Sequence, residues 1–481
     1  MATSRKTSKA DKGAGKLAVA TKLADPLKLA GMKAVIEDAR KAAISISKGP
    51  ADPTNYTTFV NRLKAVQGKF PPLYEQSYVA PFIKTIVGLG ATRFNKILSS
   101  DPDRESTAGL MFDLGQAILQ HGEGFLKAET RGFQEFISDL YDGFLSAEDR
   151  RGVKAPDLGV VPPLAKWGNP EAGPYTWPID AAKSFHVGAA VVNMPPANAD
   201  RGLIAWAALG HETAGHDILH ADKGLQSELA ENLRINLASL GHGLGDYWAT
   251  RIDETASDVM GILNLGPAAA IGLIAYFRGL GAAFGQPPKL RSDGPDDDPH
   301  PADIVRGYLA AEVVALLSFA GHTAWSKLIA AETEKDRETI VLAGETIPPS
   351  VARKAAKIVA KTLVKGKAKA LEFHALGDIQ GWADSDEAIL QAMRVPLRDG
   401  KPLPPTPGGK KLYAAHLVSA AVMEALATGQ NISVLQANLI AQLNKLHDAN
   451  PAWGPLFVAH PGQMRRDYFM PEALRQLKRV A

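Results

Sequence analysis

The stretch Gly210-His211-Glu212-Thr213-Ala214-Gly215-His216-Asp217-Ile218-Leu219-His220 decides how this chain is read. It lies in an apolar helical run, Leu203–Leu219, and sets two histidines five residues apart around a glutamate. At about 100° per residue, His216 would sit about 140° from His211 on an ideal α-helix. Both imidazoles can face one ion only if the helix absorbs an extra residue, as a π-bulge does, and such bulges favour functional sites. Gly215, inside this turn, would ease the distortion. His216 and His220 stand four apart and share a face without any bulge, so a site on that pair and a carboxylate stays open. So does a helix whose histidines are merely hydrogen-bonded in the core.

A second segment adds weight to the first. Asp253-Glu254-Thr255-Ala256-Ser257-Asp258 falls in another apolar helical stretch, running from near Tyr247 through Met260. Glu254 and Asp258 are one turn apart and face the same way. A glutamate that binds a metal, with an aspartate one turn on to hold a ligand histidine, is a coherent arrangement. The chain has no cysteine, which excludes disulfides and thiolate ligands and leaves only His and carboxylates for a metal. A di-iron carboxylate bundle needs E-x-x-H pairs from two helices; here one segment has E-x-x-x-H spacing.

Taken together, the two segments resemble the pattern of the gluzincin zinc metallopeptidases. The six-residue form His211-Glu212-Thr213-Ala214-Gly215-His216, glycine included, is similar to that of the dipeptidyl peptidase III family, over residues 210–260 only. Asp253-Glu254 stands where that family has two glutamates, a partial match. The resemblance implies a Zn2+ ion on His211, His216 and Glu254, with water in the fourth position. It makes Glu212 the general base, Asp258 the residue that orients His211, and Asp253 a neighbour behind the ligands. The implied activity is hydrolysis of a peptide or amide substrate. An electrophile for the developing oxyanion is expected as well. Asp298-Pro299-His300-Pro301 with Arg306 is similar to a feature of some integral-membrane zinc peptidases, which makes His300 the first choice against a plain loop histidine. Tyr247 and His242 are the reserves. A catalytically silent zincin-like scaffold or binding protein is the alternative function, and the intact Glu212 argues against it.

The remaining sequence frames this site. Ala and Leu are abundant and aromatics few, which tilts the class toward helix. The expected fold is mainly α with a small β-sheet (α+β), a zincin-like core embedded in a helical body. Residues 1–25 read as a disordered basic tail, 26–148 as a helical N-terminal domain, 149–330 as the zincin-like catalytic domain and 331–481 as a helical C-terminal domain. Helices are expected over Leu27–Ile46, Tyr56–Val66, Ser106–Leu119, Gly132–Leu145, Leu225–Leu240 and Ile304–Ile329. Residues 149–182, 284–302 and 396–411 read as long loops or linkers. Phe185–Asn193 reads as a strand stopped by Pro195-Pro196, placed to pair with an extended substrate.

Charge excludes one class of partner. Residues 1–50 carry 11 Lys or Arg against 4 Asp or Glu, a local +7 that leaves −4 for the other 431 residues, so the overall +3 gives no reason to expect nucleic acid. Val351–Ala370 holds seven Lys or Arg and no acid, either a solvated helix face or a surface for an acidic partner. The uncharged run Val259–Phe277 is nominally long enough to span a membrane. It contains Asn264, Gly266, Pro267 and Gly272 and reads better as core helix than as a membrane span. The N-terminus lacks a conventional signal peptide, so the location expected is cytoplasmic, or exported by another route.

Overall fold

In the computed structural model, residues 28–144, 153–154, 156–158, 161–170 and 173–454 are described. The basic tail expected over 1–25 lies outside them, as does the end of the C-terminal helical stretch. The chain begins with α1 (Met32–Ala43), α2 (Tyr56–Val66), α3 (Ala80–Ser100), α4 (Thr107–Glu123) and α5 (Lys127–Phe144). Local chemistry sets their ends. The Asn55 side chain accepts the Thr58 amide at the start of α2. Asp101 accepts the amides of Ser106 and Ala108 ahead of α4, which ends on left-handed Gly124.

Three short strands follow: β1 (Leu164–Trp167), β2 (Tyr175–Trp177) and β3 (Val191–Met194). Their order is β1-β3-β2, with β1 parallel and β2 antiparallel to β3. This corrects two expectations. The strand expected over Phe185–Asn193 starts only at Val191, because Lys183–Phe185 forms a 3-10 turn and His186 is left-handed with φ 58°. It is the central strand, paired on both sides, so it has no edge to offer a substrate. The stretch 149–182, read as irregular, supplies β1 and the edge strand β2. Strands of three or four residues are too short to show a period of two.

The site-bearing segment comprises α6 (Ala205–Gly210), a π-helical turn His211–Asp217, a 3-10 turn Ile218–Ala221, α7 (Leu225–Leu237), α8 (Leu244–Thr250), α9 (Ile252–Leu265) and α10 (Pro267–Ala283). The uncharged run Val259–Phe277 is divided between α9 and α10 at Gly266, whose φ of 63° ends the first helix. Among the described residues no helix is long and apolar enough to cross a membrane. The single helix expected over Ile304–Ile329 is two, α11 (Asp303–Ala315) and α12 (His322–Glu334). The chain turns away between them as the Ser318 amide bonds to the Trp382 carbonyl.

A second small sheet joins β4 (Asp293–Gly294), inside the expected 284–302 loop, to the hairpin β5 (Ile340–Leu342) and β6 (Glu345–Ile347). The helices α13 (Pro349–Lys365), α14 (Asp384–Asp399), α15 (Ala414–Thr428) and α16 (Ile432–Ala449) complete the described chain. α14 runs through Pro396, so the linker expected from 396 begins only after Asp399. The described residues are thus mainly helical with two small sheets. One continuous apolar core runs from Met32 through Trp206, Val259 and Ile304 to Leu443. A second lies under α2 to α4 and reaches Val191.

Candidate metal centre

The turn His211–Asp217 is a π-helix between an α-helix and a 3-10 turn. The wider turn brings His216 back onto the face of His211, and their Nε2 atoms lie 3.0 Å apart. Gly215 is required for a reason the spacing does not suggest. A Cβ there would stand 2.2 Å from Ser257 Cβ and 2.4 Å from Ser257 Cα, so the π-turn lies directly on the backbone of α9. On the same seam, a Cβ on Gly261 would be 3.2 Å from the His211 nitrogen. This close approach sets α9, which carries Glu254, directly against the histidine turn. Gly215→Ala is therefore expected to cost about 3 kcal/mol, the upper end of overpacking penalties, read as a lower denaturant midpoint. An unchanged midpoint would mean that the two elements have room to spare.

Glu254 faces both imidazoles, with Oε2 at 3.3 Å from His211 Nε2 and Oε1 at 3.3 Å from His216 Nε2. The far ring nitrogens are held by carboxylates. His211 Nδ1 donates to Asp258 at 2.9 Å, and His216 Nδ1 lies 3.0 Å from Asp253. Asp258 is buried and receives a two-pronged bond from Arg306, at 2.7 and 2.8 Å. The Arg306 guanidinium also covers the Phe277 ring at 4.5 Å. Removing one partner of such a buried pair typically costs about 3–5 kcal/mol, so Arg306 fixes Asp258 and, through it, His211.

The donor set fits a cation. With both Nδ1 atoms turned to carboxylates, the two Nε2 atoms point at each other and at Glu254. Glu254 Oε2 is buried with no hydrogen-bond partner; Arg306 Nη2, 3.6 Å away, offsets part of its charge, and a cation between the two imidazoles would offset the rest. Without a metal, protons take that place. Burial opposes the charge on His211, but Asp258 and Glu254 outweigh it and hold the imidazole up at about 9. His216 is likewise raised well above its ordinary value by Asp253 and Glu254 against burial, and Glu254 is held far below the carboxylate range by the two histidines. Two imidazoles and a carboxylate are the ligand types of a catalytic zinc site.

Glu212 stands beside this cluster. Its carboxylate and the two imidazoles bring one donor atom each within 4.8 Å of one another. It is itself tied to β2, because the Thr176 hydroxyl donates to Oε2 at 2.9 Å. All these groups open on a cavity of about 1040 Å³. β2 forms one side of it, and α10 forms an apolar wall with Leu273, Tyr276, Phe277 and Leu280.

The other expected residues divide. His300 borders the cavity, with Nε2 at 3.4 Å from Glu254 Oε1 and Nδ1 held by Asp298 at 3.0 Å. His220 does not join the cluster; its ring nitrogens face Asp180 at 3.0 Å and Asp253 at 3.3 Å. Tyr247 is buried outside the cavity lining, and its hydroxyl accepts the Ala302 amide. It props up the loop that carries His300 and does not face the cluster. His242 lies near Glu345, at 3.4 Å.

Thr176 and Tyr276 are among the cavity residues that escaped the sequence reading. Thr176 sits in a stretch read as loop. Tyr276 lies inside the uncharged run read as core. Burial and the Glu212 charge push its phenol well above the usual range, so it stays a neutral donor. Among the described residues its hydroxyl has no hydrogen-bond partner. Comparisons with protein-family models, with curated proteins and with solved structures find no match to this chain.

Proposed function

We propose that the chain is a zinc-dependent hydrolase of peptide or amide bonds, with His211, His216 and Glu254 holding the metal. The observation that carries this reading is the placement of Glu212. A carboxylate lies next to two converging imidazoles, at the wall of a cavity large enough for a substrate. A bound zinc supplies Lewis acidity, which makes water deprotonable near neutral pH and polarises a carbonyl. Glu212 takes the proton of the attacking water and returns it to the leaving amine. Thr176 holds the carboxylate in place for both transfers. His300 and Tyr276 are the donors available to the developing oxyanion. Asp258 and Asp253 hold the imidazole tautomers that leave Nε2 free. The edge strand β2 gives an extended substrate main chain a place to lie along the cavity.

The reading is tested by metal analysis of purified protein together with turnover of a mixed fluorogenic peptide pool. About one zinc per chain is expected, with activity lost to a chelator and restored by zinc. Full activity in stripped protein would rule the reading out. Metal binding should also depend on pH in a defined direction. In the metal-free protein His211 titrates near 9, so at neutral pH it carries a proton that the metal must displace. Zinc affinity should rise from pH 6 toward pH 9, with protons released on binding. Calorimetry in two buffers of different ionisation enthalpy measures that release; none at pH 7 would contradict the assigned ligands.

A further inference from the structure

β2 is held from both faces. Successive side chains of a strand point to opposite sides, and here Tyr175 and Trp177 point one way while Thr176 points the other. The Tyr175 hydroxyl and the Trp177 indole N–H both donate to Asp113 Oδ2, at 2.7 and 2.8 Å. Asp113 lies on α4, and its other oxygen is bonded to Lys166 of β1. Asp113 and Lys166 are both largely buried, with side chains 13% and 7% exposed. On the opposite face, Thr176 donates to the Glu212 carboxylate at 2.9 Å and lies 3.2 Å from the Glu212 carbonyl. One buried aspartate on a helix about a hundred residues upstream thus grips the two neighbours of the residue that touches the base.

We propose that Asp113, acting through Tyr175, Trp177 and Thr176, is a positioning residue that sets the orientation of Glu212. This rests on the hydrolase reading for its consequence, though the coupling is a property of the fold. The physical need is specific. A carboxylate in the wall of an open cavity can rotate, and a misplacement of about 1 Å can cost a hundredfold in rate. A strand of three residues has little stiffness of its own. A buried ion pair bonded to both of its outward side chains supplies that stiffness, and the charge on Asp113 strengthens each bond. Lys166 holds Asp113 in place through the bond to its other oxygen.

The test uses Thr176→Val, Thr176→Ser, Trp177→Phe and the Thr176→Val/Trp177→Phe double variant in the zinc-loaded full chain. Trp177→Phe removes the indole donor and some ring packing but spares the Asp113–Lys166 pair, and circular dichroism checks that the variant folds. In Thr176→Val, kcat is expected to fall at least about tenfold with KM within about threefold, and Thr176→Ser restores most of it. Trp177→Phe should lower kcat severalfold in the wild-type background and have no further effect once Thr176 is valine. Zinc affinity, measured by competition with a fluorescent chelator, should stay within about threefold, because the network acts on the base and not on the ligands. A readout independent of turnover is the Glu212 carboxyl carbon resonance, assigned by its loss in Glu212→Gln. It should move in Thr176→Val and move in the same direction in Trp177→Phe. The proposal is overturned if the resonance ignores Trp177→Phe, or if the two substitutions act additively on kcat. If the wild type shows no chelator-sensitive turnover, the hydrolase reading falls, and the resonance alone still decides whether the Asp113–Trp177 bond reaches Glu212.

Discussion

Glu254→Ala is expected to lower zinc affinity by at least about a hundredfold, whereas His220→Ala should change it by less than about tenfold. The asymmetry follows from what each side chain touches. Glu254 oxygens lie 3.3 Å from both Nε2 atoms, and Oε2 has no hydrogen bond of its own. Taking the carboxylate away removes a donor and leaves two imidazoles that repel any approaching cation while protonated. His220 is two contacts removed: it meets Asp253, which in turn meets His216. Loss of an outer partner costs about 10–100-fold in metal affinity, and a partner of a partner costs less. Competition with a fluorescent chelator measures both variants, with circular dichroism as the check on folding. The reverse ranking would move the site onto the regular-helix pair His216 and His220 and dismiss Glu254.

That alternative was open in the sequence for a physical reason. Four-residue spacing places two histidines on one face of an α-helix with no distortion, whereas five-residue spacing needs a wider turn. A one-dimensional pattern carries the need for the distortion but not whether the surroundings supply it. Here they do, through Gly215 against Ser257 and Gly261 against His211, contacts between segments more than 40 residues apart. The helical class was legible for simpler reasons. Long amphipathic runs such as Tyr56–Val66 carry their period and caps within themselves, and that helix has the bounds its sequence suggests. The strands did not announce themselves, since β2 is three residues long and flanked by Pro174 and Pro178.

The residues that could act on a substrate were legible where chemistry clusters in sequence and hidden where it clusters only in space. His211, Glu212 and His216 lie within six residues, and Glu254 and Asp258 within one turn. Thr176, Tyr276 and Asp113 each come from a different element, with no local pattern to mark them. Tyr247, held in the sequence only as a reserve, shows the converse. A tyrosine just upstream of the acidic pair is placed by sequence near the chemistry. The turn between α8 and α9 instead sends it to the loop at Ala302, where Arg251 stacks on its ring at 4.2 Å.

Glu212→Gln should keep the metal and lose at least about a hundredfold in kcat, the low end for removal of a general base. The substitution is nearly isosteric. The glutamine oxygen can still accept from Thr176, so β2 and the π-turn keep their contact. What it cannot do is take a proton from water. The metal measurement matters as much as the rate, because Glu212 and Glu254 both lie within reach of the histidines. Two features favour the ligand role for Glu254 and the base role for Glu212. Glu254 splits its oxygens between the two Nε2 atoms, at 3.3 Å from each. Glu212 has its Oε2 occupied by a hydroxyl donor, which holds the carboxylate in one orientation beside the imidazoles. Zinc retained with turnover lost confirms that division of labour. Zinc lost in Glu212→Gln but kept in Glu254→Ala would exchange the two roles. Zinc and turnover both kept would remove Glu212 from the chemistry and pass the base to another group at the cavity wall, with His300, 3.4 Å from Glu254, the nearest to hand.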